Sequence, residues 1–324
     1  MKSIIYDTYG SPDVLKLIKT SIPKPDRNEL LIKVISSSVT AADWHLRKAD
    51  PIMVRFMNGL LTPKKKVLGQ EFYGEIVETG RSVTRFKPGD KIFGSTGLKT
   101  GAHSEYIVMS EDSVISKADG NIENESLAAI PIGGMTSLFF LKQGGLKKGD
   151  RVLINGASGS VGSYAVQIAK AYGASVTGVC STRNVKLVRE IGADQVIDYK
   201  KERLDNHPHS YDIVFDTVGN LSYKSVKPLL SSDGHFISTA FNLGLMQAMM
   251  MNTFRKGHKV YTGVTKESRE LLDEIKNLLK SKKLKAVIER TYSMEEIKEA
   301  HIHAESGHKQ GNIILAIQGG TTHV

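Results

Sequence analysis

The chain has 324 residues, 44 of them Lys or Arg against 34 Asp or Glu, for a formal net charge of +10. That length exceeds one ordinary core and fits two domains of roughly 100–200 residues each. A single cysteine, Cys180, excludes an intrachain disulfide and a Cys-rich zinc site, and no apolar run approaches the ~20 residues that cross a bilayer, so no membrane partner is expected.

In chain order, the opening MKSIIYDTYG places Asp7 and Gly10 where an export signal would carry an apolar stretch, so the cytoplasm is the expected location. Short β-branched runs follow at Leu30–Ile35, Glu75–Glu78, Lys91–Phe93 and Glu105–Val108, separated by Gly and Pro, and they predict a β-rich domain over residues 1–121. From about Ile122 apolar strands alternate with helical stretches. The strands are Arg151–Asn155, Ser175–Val179, Gln195–Ile197, Asp212–Phe215, Gly234–Ser238 and His258–Gly263. This alternation predicts an α/β domain over residues 122–265, with a doubly wound parallel sheet. After Lys266 a charged helical stretch sets Leu271, Leu272, Ile275, Leu278 and Leu279 on one stripe, and Asn312–Ile317 reads as a last strand. Residues 266–324 are assigned to the first domain, with Gly319–Val324 expected to fray.

The most informative segment runs from strand Arg151–Asn155 through Gly156, Ser158, Gly159, Ser160, Val161 and Gly162 into an amphipathic helix. Gly156 suits a tight turn, Gly159 lets the backbone approach a pyrophosphate, and Gly162 permits close helix-on-strand packing. The spacing is G-x-x-G-x-x-G instead of G-x-G-x-x-G, yet the strand before and the helix after give it a dinucleotide-binding context. An NAD enzyme usually ends its second strand with Asp or Glu to hold the ribose 2′-hydroxyl. Here the chain offers Ser181, Thr182, Arg183 and Lys186, hydroxyls and cations suited to a 2′-phosphate, so NADPH is the expected cofactor. The other reading of Arg183 and Lys186 is the exposed face of the next helix. Gly219, after the fourth strand, and Phe241, after the fifth, fall at the carboxyl edge of the sheet and are expected to flank the cofactor.

These residues carry a resemblance over nearly the whole chain. Gly69-Gln70-Glu71 through Gly74 and Val77 resembles the G-H-E-x-x-G-x-V signature of the medium-chain dehydrogenase/reductase superfamily, and Pro88-Gly89-Asp90 its P-G-D turn. Gly101-Ala102 through Glu105-Tyr106 is similar to its G-A-x-A-E-Y strand, and Gly307-His308 through Gly311-Asn312 to its terminal G-H-x-x-G-K, with Asn312 in place of Lys. The resemblance implies a GroES-like catalytic domain interrupted by a Rossmann domain. It also separates branches: the positions of the catalytic zinc ligands hold Thr40 and Gln70, neither a good ligand, and the four-cysteine structural loop is absent. The zinc-free quinone oxidoreductase branch is therefore implied, with hydride transfer supported by positioning and hydrogen bonding.

Within that resemblance Thr40 stands where quinone reductases place Asn, and His45 where they place Tyr and zinc alcohol dehydrogenases often place a proton-relay histidine. His45 is read either as a proton donor or as a structural histidine bonded to Asp43 or Arg47. Thr40 is read as a substrate or nicotinamide partner, or as a strand-end hydroxyl satisfied by backbone. Thr136 sits where the family contacts the nicotinamide, or serves as a helix cap, and Tyr199 sits where related NADPH enzymes hold the adenosine phosphate, or is an ordinary half-buried tyrosine. The methionine-rich Leu243–Phe254 suits a pocket wall, a dimer contact or core packing.

The expected activity is NADPH-dependent reduction of quinones or α,β-unsaturated carbonyls (enals and enones) by a homodimer pairing near Val260. A zinc-free carbonyl or alcohol dehydrogenase is the enzymatic alternative. An NADPH-binding protein with an RNA role is the other, motivated by the basic charge; the scattered Lys and Arg argue against nucleic acid as the main partner.

Overall fold

The structure, a computed structural model, describes residues 1–118, 122, 124–204, 210–240, 243–253 and 257–318. Phe241, Phe254 and the tail Gly319–Val324 lie outside the described residues. The chain forms two compact units, one of Met1–Ile132, Glu267–Lys276 and Ile288–Val324, the other of Gly133–Lys266 and Asn277–Val287.

The first unit opens with an antiparallel pair, β1 (Lys2–Ile5) and β2 (Lys16–Lys19), followed by β3 (Glu29–Ser38), β4 (Glu71–Thr79), β5 (Lys91–Ser95), β6 (Tyr106–Ser110) and β7 (Ile115–Lys117). The second unit holds β8 (Arg151–Asn155), β9 (Ser175–Cys180), β10 (Gln195–Asp198), β11 (Tyr211–Asp216), β12 (Leu230–Ser238) and β13 (Lys259–Thr262). The chain then returns to the first unit for β14 (Ile288–Ser293) and β15 (Asn312–Ala316).

In the first unit a 7-stranded sheet runs β14-β15-β3-β4-β5-β7, with β6 paired to β3. The length of β3 makes this possible: its first half, Glu29 to Lys33, faces β6, and its end, Ser36 to Ser38, faces β15. Leu30, Ile32 and Val34 alternate inward and are fully buried with Phe72, Ile76 and Ile92. Buried polar groups lock the periphery. Arg47, with no exposed side-chain surface, donates from Nη2 to Glu305 Oε2 at 2.6 Å, from Nε to His301 Nδ1 at 3.3 Å and from Nη1 to the Gly10 carbonyl. One guanidinium thus joins helix Ala41–Lys48, helix Ile297–Glu305 and the N-terminal segment. Leu272 and Ile275 of helix Arg269–Lys280 are fully buried, and Leu271 and Leu278 half-buried, as the predicted stripe requires.

In the second unit a 6-stranded parallel sheet has the order β10-β9-β8-β11-β12-β13, the doubly wound Rossmann order. The order reverses between β8 and β11, so the turns that leave these two strands flank the switch point where ligands bind in such sheets. The methionine-rich helix Leu243–Thr253 buries Leu245 and packs Ala248 and Met249 on the core while Met250 and Met251 stay exposed, so one face of it serves core packing.

His301 is fully buried, and burial first, then electrostatic interaction with His103 and with the Arg47 guanidinium, pull its imidazole well below the ordinary histidine range. Its Nε2 and the Nδ1 of His103 find no hydrogen-bond partner among the described residues. The unfolded imidazole takes up a proton near pH 6.5 while the folded one stays neutral, so the unfolded state binds more protons below that pH. Stability is therefore expected to be intact above about pH 6.5 and to fall as pH drops below it. Urea unfolding at pH 7.5 and pH 5 should show a larger loss for the wild type than for His301→Gln; equal losses would contradict this assignment.

Candidate functional site

The second unit presents the glycine-rich turn. Gly156 leaves β8 at φ +79°, a left-handed conformation that glycine adopts without strain, and the amides of Gly156 and Ala157 both donate to the Val179 carbonyl, at 3.1 and 3.0 Å. The turn is thereby pinned to β9. Helix Ser160–Ala171 starts at once, with Gly159 as N-cap and no capping side chain, so its first amides point into the turn. A Cβ on Gly162 would sit 2.0 Å from the Gly156 oxygen, which only glycine permits. Gly159 differs: its φ of −81° and ψ of −179° suit any residue, and an added Cβ would meet Gly156 O at 3.4 Å, an ordinary contact. The fold requires glycine at 156 and 162 but not at 159.

Around the turn, side chains are committed to one another. Ser158 Oγ accepts from Asn184 Nδ2 at 2.7 Å, and the Val161 carbonyl accepts from Ser137 Oγ at 2.7 Å, fastening helix Pro131–Gln143 to the turn. Gly133 of that helix lies so close that a Cβ would meet Tyr164 at 2.7 Å and Ser160 Oγ at 2.8 Å. Thr136, half-buried one turn further on, accepts a hydroxyl hydrogen bond from Thr265 at 3.0 Å. Across the switch point, fully buried Asp216 accepts from Asn155 Nδ2 and from the amides of Val218, Gly219 and Leu221, at 2.8 to 3.1 Å. This fixes Gly219 at φ +84°, where a Cβ would strike Ala240 at 2.5 Å. The hub at Asp216 and the bridges through Asn155 and Asn184 join residues far apart in sequence, and no local pattern marks them.

The ends of β9 and β10 lie side by side, with Tyr199 N donating to Cys180 O at 3.1 Å. Ser181 follows directly on Cys180 at this point, and Tyr199 is 53% exposed with the Lys200 ammonium 5.4 Å from its ring centre. Lys186 is 89% exposed and 3.8 Å from Glu190, one turn further along the same helix.

The first unit carries the remaining candidates. Thr40 is the N-cap of helix Ala41–Lys48, in a capping box with Asp43: its hydroxyl donates to Asp43 Oδ2 at 2.7 Å and its amide does so at 2.8 Å. Asp43, fully buried, also accepts the Gly69 amide at 2.8 Å. His45 stacks on Trp44 at 3.6 Å between ring centres, and its Nδ1 meets the Asp50 carbonyl; neither Asp43 nor Arg47 is its partner. Asp43 is taken by Thr40 and Gly69, and Arg47 by its own buried cluster. Glu71 is buried, accepting Ser38 Oγ and the Ile132 amide, the latter at 2.7 Å, and burial pushes its carboxyl up to about 8 against those bonds. Burial likewise pulls the Lys309 amine down to about 8, despite Glu71 and Glu289. A carboxyl held protonated near neutrality is a signal that the G-Q-E sequence did not reveal.

The donor set at the two aligned zinc positions is a threonine hydroxyl already held by Asp43 and the Gln70 amide, whose Nε2 lies 3.5 Å from the Gly97 carbonyl. No cluster of three His, Cys, Asp or Glu able to hold a metal occurs among the described residues. Neutral hydroxyl and amide oxygens are poor zinc ligands, and the residues present do not fit a catalytic zinc.

Residues 26–119 match the family described as Alcohol dehydrogenase GroES-like domain, and residues 191–315 the one described as Zinc-binding dehydrogenase. The chain is 31% identical to the mitochondrial NAD(P)H oxidoreductase RTN4IP1 of Danio rerio, over 98% of this chain and 91% of that protein. It is 33% identical to the chloroplastic quinone-oxidoreductase QR1 of Triphysaria versicolor, over 97% and 98% of the two chains. Among solved structures, the quinone oxidoreductase of Coxiella burnetii superposes with a TM-score of 0.87 at 29% identity, covering 98% of this chain and 99% of that one. The NADPH complex of the Escherichia coli quinone oxidoreductase shares the fold, with a TM-score of 0.82 at 24% identity over 98% and 100% of the chains. The chain is an oxidoreductase and belongs to the medium-chain dehydrogenase/reductase superfamily, in its quinone oxidoreductase branch.

Proposed function

We propose that the protein uses NADPH to reduce quinones or α,β-unsaturated carbonyls and that it does so without zinc. The observation that carries the nucleotide part is Gly159: the fold tolerates a side chain there, so its absence is explained by a ligand's approach to the backbone. NADPH, when bound, supplies the hydride. The amides after Gly159 and the partial positive charge of the helix N-terminus suit the pyrophosphate. Ser181 and Arg183, after the end of β9, and Tyr199, after the end of the neighbouring β10, suit the 2′-phosphate. Asp198 lies in the same place, but the Thr182 hydroxyl, the Lys200 amide and Lys201 compensate its charge. Thr136 suits the nicotinamide amide.

The donors at the zinc positions support a metal-independent reaction, in which the chain's part is to orient, to exclude water and to hold protons. With Nδ1–H donated to the Asp50 carbonyl, Nε2 of His45 is the nitrogen that carries the second proton of the imidazolium form and, on handing it to a reduced acceptor oxygen, leaves the neutral Nδ1–H ring. Thr40 acts through position, its hydroxyl fixed by Asp43. The edge strand β13 is where a second copy would pair to make a homodimer.

Two comparisons test the nucleotide site. Gly159→Ala should keep its melting temperature yet bind NADPH at least about tenfold more weakly, a loss near 1.4 kcal/mol, whereas Gly162→Ala should lose both stability and binding. Unchanged NADPH affinity in a folded Gly159→Ala protein, read by fluorescence titration, would remove the argument. Arg183→Ala should raise KM for NADPH far more than for NADH with 1,4-benzoquinone as acceptor; equal effects would refute the role given to Arg183.

A further inference from the structure

In the first unit the helical turn Val54–Asn58 and its flanks turn an apolar stripe outward. Ile52, Met53, Phe56, Met57, Leu60 and Leu61 are between 60% and 86% exposed. Met53, Phe56 and Met57 follow the i, i+3, i+4 spacing of one helix face, the face that an ordinary surface helix buries, and Leu60 and Leu61 follow directly after the C-cap Gly59.

The opposite side is held by polar groups. Asn58, 1% exposed, donates from Nδ2 to the Tyr6 hydroxyl at 2.9 Å and accepts the Lys65 amide at 3.1 Å. The Tyr9 hydroxyl donates to Gly59 O at 2.8 Å, and Arg55 donates to Leu60 O at 3.2 Å with its guanidinium 4.9 Å from the Tyr9 ring centre. The backbone is therefore anchored, and the apolar side chains are presented on a fixed support. A contiguous exposed apolar patch of this kind marks an interaction surface.

Charge identifies the occupant. Between residues 48 and 66 the chain carries Lys48, Arg55, Lys64, Lys65 and Lys66 against Asp50 alone, with Lys48 paired to Glu305 at 2.8 Å and Lys66 to Asp7 at 3.0 Å. Lys64 and Lys65 have no carboxylate within ion-pair distance among the described residues. Pairing with a second copy would bring two such cationic clusters together, whereas a shallow apolar ridge bordered by free ammonium groups matches a lipid surface with anionic headgroups. We infer that Pro51–Lys66 docks on an anionic bilayer, the stripe entering the headgroup boundary and the lysines meeting the lipid charges. No helix among the described residues is long and apolar enough to cross a membrane, and the expectation of no membrane partner rested on spanning alone; lying on a surface needs no such helix. The inference is independent of the acceptor proposed above.

The test is co-sedimentation of the full chain with vesicles of phosphatidylcholine alone and with added phosphatidylserine. Binding is expected to the anionic vesicles, to weaken with salt, and to fall about tenfold or more both in Phe56→Ser/Leu60→Ser/Leu61→Ser and in Lys64→Glu/Lys65→Glu. Thermal melts of both variants should match the wild type, because the replaced side chains point outward. No binding by the wild type would overturn the proposal, as would equal binding by the serine variant, which would reduce the effect to the net charge. Self-association that the serine variant abolishes, without vesicle binding, would assign the patch to a second copy instead.

Discussion

The carbonyl oxygen of Gly156 stands where a side chain on residue 162 would begin, and this contact sets the geometry of the nucleotide-binding unit. Because a Cβ on Gly162 would lie 2.0 Å from that oxygen, helix Ser160–Ala171 can start directly off β8, with its uncapped first amides directed into the turn. The two amides that follow β8 are spent on Val179, which fastens the turn to β9. On the other side of the switch point Asp216 gathers Asn155 and three backbone amides, so the turns leaving β8 and β11 are fixed relative to each other by a buried carboxylate. A rigid, amide-lined edge results, formed before any ligand arrives, and little ordering cost then falls on binding.

The first unit uses buried charge in the same way, to fix loops that carry no regular hydrogen-bond ladder. Asp43 closes the capping box at Thr40 and holds Gly69, while Arg47, four residues on, ties the same helix to Glu305 and His301. Removing one member of such a cluster leaves a buried group unsatisfied, at a cost of several kcal/mol, so these residues act as positional constraints more than as sources of stability. Glu71 sits beside this framework with its carboxyl pushed up to about 8.

Much of this was legible in the sequence. The parallel strands were visible because they are continuous apolar runs broken by helices, and the glycine turn because strand, spacing and helix agree. The short strands β1, β2, β7 and β14 were not, since three or four residues carry too little periodicity, and β14 (IERTYS) alternates too weakly to stand out. Helix Ala41–Lys48 escaped because its Thr40–Asp43 capping box was read for chemistry instead of for structure. Among the candidate residues, those on the turn itself came from local pattern. The partners of Ser158 and Thr136 came only from tertiary pairing, as with Asn184, 26 residues from Ser158 in sequence. The exposed stripe at Ile52–Leu61 was likewise invisible, since apolar residues at helical spacing ordinarily predict burial, and only Asn58 and Tyr9 reverse its direction.

The most direct measurement is the fall in absorbance as purified protein oxidises NADPH, with NADH in parallel, against 1,4-benzoquinone, 9,10-phenanthrenequinone, an alkenal and a simple aldehyde. Turnover with a quinone or the alkenal, faster with NADPH than with NADH and unaffected by chelators, is the predicted result. Turnover confined to the aldehyde, a requirement for zinc, or tight NADPH binding without turnover of any acceptor would contradict the account.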